Sequence, residues 1–374
     1  MSIPVKAEEE DITGVTAQPI GDITCCLCMW LPYSLAMRVL RKSAGRVTFV
    51  LAVPSLLWAT SCIYEYGDNC PDRLSLRIEN DWHADSCASP EGMAYMFFPY
   101  EGGEPWRFDF PGREAGDIML APGRYAFVSH NDDVSNVMFA DEGGYGEYEA
   151  YTSATGLLCG IPPSERGSCL PSVKDSDKMV VRCPDMLWGC AYGSVELHYD
   201  GVDFFTAGMA SPEDSARFSP DFILTVYQRP LTAHYIFRIE DVENLGGVSS
   251  MSASLSGMAG SLFMASGEKG RYPSTLSLNA EKLGPMLVGG DFYTFGIPAS
   301  PVHPNILSLF VVIKDGRRFC YEFDVTGQVR DAGNPMEVTI VIRGLSVEKP
   351  ESGGAGGFDV SVDGWETVEV NIND

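Results

Sequence analysis

The stretch Leu307–Val325, LSLFVVIKDGRRFCYEFDV, sets Asp315-Gly316 between two apolar runs that alternate with polar residues. Alternation at period two buries one face of an extended strand, and Asp-Gly between two such runs is a strong hairpin signal because both turn positions favour positive φ. The same grammar runs through the chain. Leu74–Glu79 (LSLRIE) alternates, Met93–Tyr100 and Trp106–Phe110 follow, and Ile118–Asn131 reads as two strands about the tight turn pair Pro122-Gly123. Segments at 136–141, 146–153, 178–182 and 194–199 continue the series. Helical periodicity is confined to Asn279–Met286, one or two turns at most.

A small, polar, Pro-containing segment, Thr206–Asp221, marks a boundary, and strands resume beyond it. Phe222–Glu240 is strand-rich, with Pro230 marking a bulge or switch. Glu337–Leu345 and the C-terminal residues 358–374 complete the second half, the latter with Val368, Val370 and Ile372 alternating. Ser252–Gly267 is small and apolar, a sticky loop or, as favoured here, a pair of strands. With 374 residues and 45% apolar content, the chain can build two cores. The expectation is an all-β protein of two tandem β-sandwich domains, residues 74–210 and 222–374.

Ahead of the strands lies a different kind of segment. Arg38, Arg41, Lys42 and Arg46 precede an apolar block, Val47–Trp58, which leads into Ala59-Thr60-Ser61-Cys62. Basic, then apolar, then small is the layout of a secretory signal. The block is shorter than the ~20 residues that span a bilayer, and the four charges from Arg38 to Arg46 forbid a single span over residues 24–60. Residues 37–61 are therefore expected to be a signal peptide starting at Met37, with residues 1–36 an upstream, disordered extension. The cysteine at the cut resembles a bacterial lipobox, which implies that Cys62 carries a diacylglycerol thioether. Each buried CH₂ contributes ~0.8 kcal/mol, so several acyl chains hold a soluble domain on a bilayer. Residues 62–73 would then be a tether, with Glu65, Asp68 and Asp72 as its solvated charges.

The chain carries 51 acidic and 26 basic residues, a net charge of −25. That excludes a nucleic-acid surface, which needs basic footprints to displace counterions, and it disfavours lying flat on anionic lipid.

Taken together, the Cys62 motif, the two all-β halves, VYQRPLTAHYIF at the head of the second half and the terminal GWETVEVNI resemble the fimbrillin-like lipoproteins of Bacteroidales. That resemblance implies transthyretin-like or Ig-like sandwiches, lipid anchoring at the outer membrane with exposure on the cell surface, and a structural or adhesive role as subunit, tip or anchor of a fimbria-like assembly. It also implies strand addition between fimbrial subunits, for which Leu74–Glu79 and Glu366–Ile372 are the candidates. The alternative for each is pairing inside its own domain.

Catalytic patterns are missing. His83, His130, His198, His234 and His303 share no metal-ligand spacing, and neither a G-x-S-x-G elbow nor a phosphate-binding loop occurs. No enzyme activity, metal or cofactor is expected. Asn131-Asp132-Asp133 and Asp141-Glu142 could offer oxygens to calcium but lack the D-x-D-x-D-G pattern, so solvated loop carboxylates are favoured. Tyr145, Tyr148 and Tyr151 form either an aromatic platform for glycans or a strand with alternating tyrosines. Seven cysteines follow Cys62; Cys159/Cys169 and Cys183/Cys190 are the closest couples, Cys70/Cys87 is next, and connectivity is left open. Cys320, between Phe319 and Tyr321, is expected to be a buried small hydrophobe.

Overall fold

The computed structural model describes residues 73–140, 144–155, 179–205, 216–299, 303–351 and 365–370. The expected signal peptide, Cys62, the rest of the tether, and Cys70, Cys159 and Cys169 lie outside the described residues.

Strands dominate. In chain order the first are β1 (Leu74–Asp81), β2 (Gly92–Pro99), β3 (Trp106–Pro111), β4 (Asp117–Leu120) and β5 (Gly123–Asn131). Then come β6 (Val137–Ala140), β7 (Glu149–Thr152), β8 (Met179–Arg182), β9 (Trp188–His198) and β10 (Gly201–Phe205). Next are β11 (Ala216–Ser219), β12 (Ile223–Tyr227), β13 (Arg229–Pro230), β14 (Ala233–Glu240) and β15 (Val248–Ala259). The series continues with β16 (Ser261–Phe263), β17 (Pro273–Leu278), β18 (Glu281–Gly284) and β19 (Leu287–Thr294). It ends with β20 (Ile306–Ile313), β21 (Arg318–Asp324), a short helix α1 (Thr326–Arg330), β22 (Glu337–Arg343) and β23 (Glu366–Glu369).

The first sandwich packs the sheet β12-β1-β4 against β11-β10-β9-β5-β2-β3. Its core holds Leu76 and Ile78 of β1, Tyr95 and Phe97 of β2, Phe127 of β5 and Tyr192 of β9. In the second, the sheet β18-β19-β14-β22 faces β23-β21-β20-β15-β17-β8. Phe237, Ile239, Leu255, Leu309, Ile340 and Ile342 are among its core residues. A third, small sheet, β16-β7-β6, joins strands from both halves of the sequence over a core containing Phe98, Tyr148, Ala150, Leu262 and Phe295.

The divide between the sandwiches differs from the composition break. β12 follows Thr206–Asp221, yet it pairs in parallel with β1 and puts Leu224 and Val226 into the first core. The chain crosses over at β13, which pairs with Gly189 and Trp188 of β9, so Pro230 sits at the switch. Earlier in sequence, β8 crosses the other way and lies parallel to β17 in the second sandwich. A polar chain locks the crossing: fully buried Gln228 donates through Nε2 to Ser129 Oγ (2.9 Å) and Asn80 Oδ1 (3.1 Å). Close by, Thr232 Oγ1 accepts from Leu187 N–H at 2.9 Å.

Three local expectations change. Pro122-Gly123 is a corner between sheets, because β4 pairs with β1 while β5 pairs with β2 and β9. Glu281–Gly284 is a strand paired with β19, so the helical reading of Asn279–Met286 fails. The hairpin at Asp315-Gly316 does form, but only Gly316 takes positive φ (93°). Its N–H donates to Ile313 C=O at 2.9 Å, a type I turn closed by a glycine bulge.

Candidate functional site

Sheet edges present unpaired backbone groups that another chain can complete. Several edges carry a closing device. On β22, the side-chain amide of Gln328 from α1 donates to Val341 C=O (2.9 Å) and accepts from Val341 N–H (2.8 Å), imitating a neighbouring strand. β18 is interrupted by an irregularity between Lys282 and Gly284, and Lys282 Nζ donates to Val248 C=O at 2.8 Å. On β3, the exposed Arg107 and Asp109 pair at 2.9 Å. β8 is covered on its outer side, where Thr155 N–H donates to Val180 C=O (2.7 Å) and Arg182 N–H to Ser153 C=O (3.2 Å).

The opposite edge of that six-stranded sheet is β23. It lies parallel to β21 in the register Phe319↔Glu366 to Glu322↔Glu369, and Val370 N–H donates to Glu322 C=O at 3.1 Å. Among the described residues no strand pairs with its outer side. Val368 and Val370 pack on the second core. Trp365 packs edge-on against Phe310, 5.4 Å between centroids, beside buried Val312 and Cys320 on the sheet's other face. β23 is thus gripped on both faces and by one ladder.

The two exchange candidates therefore part ways. Leu74–Glu79 is a central strand, held by β12 on one side and β4 on the other, with Leu76 and Ile78 buried. Glu366–Glu369 is an edge strand.

The tyrosine segment is also split. Tyr148 ends a 3₁₀ turn and is buried, its hydroxyl 3.0 Å from His130 Nε2. Tyr145 packs on Phe98, with its phenol pushed up to about 12 by burial. Tyr145 also borders a cleft beside Phe98 and Tyr100, while Tyr151, half-buried on β7, lines a separate open cleft. His130 itself is buried, stacked on Phe139 (3.8 Å between centroids), and burial pushes its imidazole down from 6.5 to about 4.

The loop acids serve the backbone. Asp133 accepts from Glu91 N–H (2.9 Å) and Asn131 Nδ2 (2.6 Å), while Asp185 accepts from Ser135 and Asn136. Among the described residues no cluster of three or more acid, histidine or cysteine side chains is placed to hold a metal ion; Asp141-Glu142 lies outside them. Cys183 and Cys190 form no disulfide: Cys183 Sγ donates to Ser277 C=O at 3.3 Å, and Cys190 is buried in the first core as a thiol raised to about 12 by desolvation. Cys320 is buried as a small hydrophobe, its thiol likewise raised to about 12. Cys87 is an exposed thiol. No helix among the described residues is long and apolar enough to cross a membrane.

Comparison with known proteins places these features in context. The sequence profile of a domain of unknown function, DUF5119, matches residues 62–279. A Bacteroides ovatus protein named "Putative fimbrium anchoring subunit Fim4B" is 29% identical over 122 residues, 32% of this chain and 36% of that one. The match thus spans about a third of the relative's length. The crystal structure of a "putative adhesin" from Bacteroides ovatus superposes with a TM-score of 0.54 at 20% identity, covering 75% of this chain and 94% of that one, and so shares the fold. The fimbrial anchor protein Mfa2 from Porphyromonas gingivalis gives a TM-score of 0.40 at 14% identity, covering 73% and 90%.

Proposed function

The chain belongs to the DUF5119 family, and from that premise we propose that it is a lipid-anchored surface protein of the outer membrane with a structural or adhesive role in a fimbria-like assembly, working by surface contact without catalysis. The Bacteroides ovatus relative, named for anchoring a fimbrium, supports the reading, as does the fold shared with an adhesin structure. One structural observation carries it. The two edges of the six-stranded sheet are treated differently: Ser153–Thr155 closes β8, whereas no described strand covers the outer side of β23. A strand laid there by a partner subunit gains a ladder of main-chain hydrogen bonds. Acyl chains on Cys62 hold the base of the molecule on the membrane.

Two experiments on intact cells test the proposal. A photo-crosslinking residue at exposed Thr367 on β23 should capture another fimbrial subunit, while the same probe at Arg107 on β3 should not; equal capture, or none, overturns the edge assignment. Cys62→Ser should release the protein into soluble fractions, and unchanged membrane retention overturns the anchor.

A further inference from the structure

We propose that the cleft beside the small junction sheet is a binding site for a short oligosaccharide of neutral hexoses. The cleft has a volume of about 660 Å³ and is walled by β7, β16 and the segment leading into β17. Ligand pockets of roughly 300–1,000 Å³ at the meeting of structural units are the usual size and place for small-molecule sites.

Its lining is built by register. Tyr151 stands across from Ser261 and Glu149 across from Phe263, so these four share one face of the sheet. Buried Gly270 donates its N–H to Ser261 C=O at 2.9 Å, and a Cβ there would crowd the Ser261 hydroxyl. That approach sets Lys269 and Arg271 on either side of Gly270 at the cleft wall. Tyr272 follows, 84% exposed. An aromatic ring so little packed has its face free to meet the C–H face of a sugar ring.

The charges choose the ligand class. Glu149, Glu268, Lys269 and Arg271 all line the cleft, and none forms an ion pair with a described residue. Two carboxylates and two cations give no net sign to draw an ion. A polyanion meets Glu149 and Glu268, a polycation meets Lys269 and Arg271, and an apolar segment would strip water from all four. A sugar hydroxyl both donates and accepts, so it suits carboxylates and cations alike. Thr152 adds a second signal: it lines the cleft at 3% exposure, and its Oγ1 has no hydrogen-bond partner.

The inference stands apart from the fimbrial role. Calorimetric titration of the purified full chain with cellohexaose, maltohexaose and mannohexaose tests it, alongside a hexuronate hexamer and an acidic peptide. At least one neutral hexaose should bind. Tyr272→Ala and Arg271→Gln, both at exposed positions, should each weaken it at least about tenfold, ~1.4 kcal/mol, with the melting temperature unchanged. Tyr100→Ala, at an exposed tyrosine outside this cleft, should have no effect. Failure of every neutral hexaose to bind, binding of the hexuronate or peptide alone, or unchanged binding by both cleft variants overturns the proposal.

Discussion

The two sandwiches fill their cores differently. Among the described residues, seven of the 19 in the first core are aromatic, against six of 31 in the second. Buried phenols and amides need partners. The first sandwich supplies them inside: Asn80 Nδ2 donates to Tyr95 Oη at 2.6 Å, and Tyr192 Oη donates to Thr225 C=O at 2.8 Å while accepting from Tyr227 N–H. The second sandwich fills its interior mostly with Val, Leu and Ile, which ask only for shape. Its buried Ser252 and Asn305 donate to nearby backbone carbonyls, and two further polar contacts guard sheet margins, Gln328 on β22 and Lys282 beside β18. Loss of a buried polar group should therefore destabilise the first sandwich, whereas loss of a marginal one should unblock an edge of the second.

The largest effect should come from the aromatic cluster. Phe127 is fully buried and touches Phe97, Tyr192 and Tyr95, with centroids 4.9, 5.5 and 6.3 Å away. Phe127→Ala should cost about 3–5 kcal/mol in urea unfolding, transfer and cavity together. A loss below about 1 kcal/mol would mean that the core collapses around the gap.

Next is acid sensitivity at His130, on β5. The neutral ring is satisfied when Nδ1–H donates to Asn131 C=O (2.9 Å) and Nε2 accepts from Tyr148 Oη (3.0 Å). Its folded value is about 4 against 6.5, so the unfolded chain binds the proton more readily between those values. Stability should be complete above pH 6.5, fall as the pH drops towards 4, and level off below. Two and a half units correspond to ~3 kcal/mol. His130→Phe should remove that part of the pH slope; parallel slopes for both proteins would refute it.

Much of this architecture was legible in the chain, and the misses share a cause. Alternation in Leu74–Asp81, the apolar run of Gly92–Pro99 and Asp-Gly in the Ile306–Asp324 hairpin located those strands because such signals are local. Partnership across long separations was not legible. No turn announces that β8 will lie beside β17 or β12 beside β1, since parallel pairing leaves no hairpin to read. Glu281–Gly284 has helix-forming residues, yet pairing with β19 overrides their weak preference. Tyr148 looked like a partner of Tyr151, but it precedes the strand and turns inward. The cleft joins Tyr151 to Lys269–Tyr272 only through the register of β7 with β16.

The polar crossing gives the third test. Gln228→Ala leaves Asn80 Oδ1 and Ser129 Oγ without their shared donor in a buried site. The expected loss is about 2 kcal/mol, with Gln228→Glu no rescue because it buries a charge. If Gln228→Ala unfolded at the wild-type midpoint, the crossing would be held by packing alone.

The smallest expected change in stability carries the sharpest distinction between the sandwiches. Gln328→Ala removes two hydrogen bonds from a part-buried strand edge, worth about 1 kcal/mol. Its main effect should be on association. Without that amide, Val341 presents an open N–H and C=O on β22, which is the invitation that the native edge withholds. Sedimentation velocity should show concentration-dependent self-association of Gln328→Ala, and hydrogen exchange should speed up at Val341 with little change on β1. Gln328→Glu keeps an acceptor for Val341 N–H but cannot donate to its carbonyl, and its charge repels a second copy at the same edge. It should therefore exchange faster at Val341 than the wild type and yet stay monomeric. If both variants stayed monomeric, the margin of the second sandwich would be protected by its twist and neighbours, and its polar groups would serve stability as those of the first sandwich do.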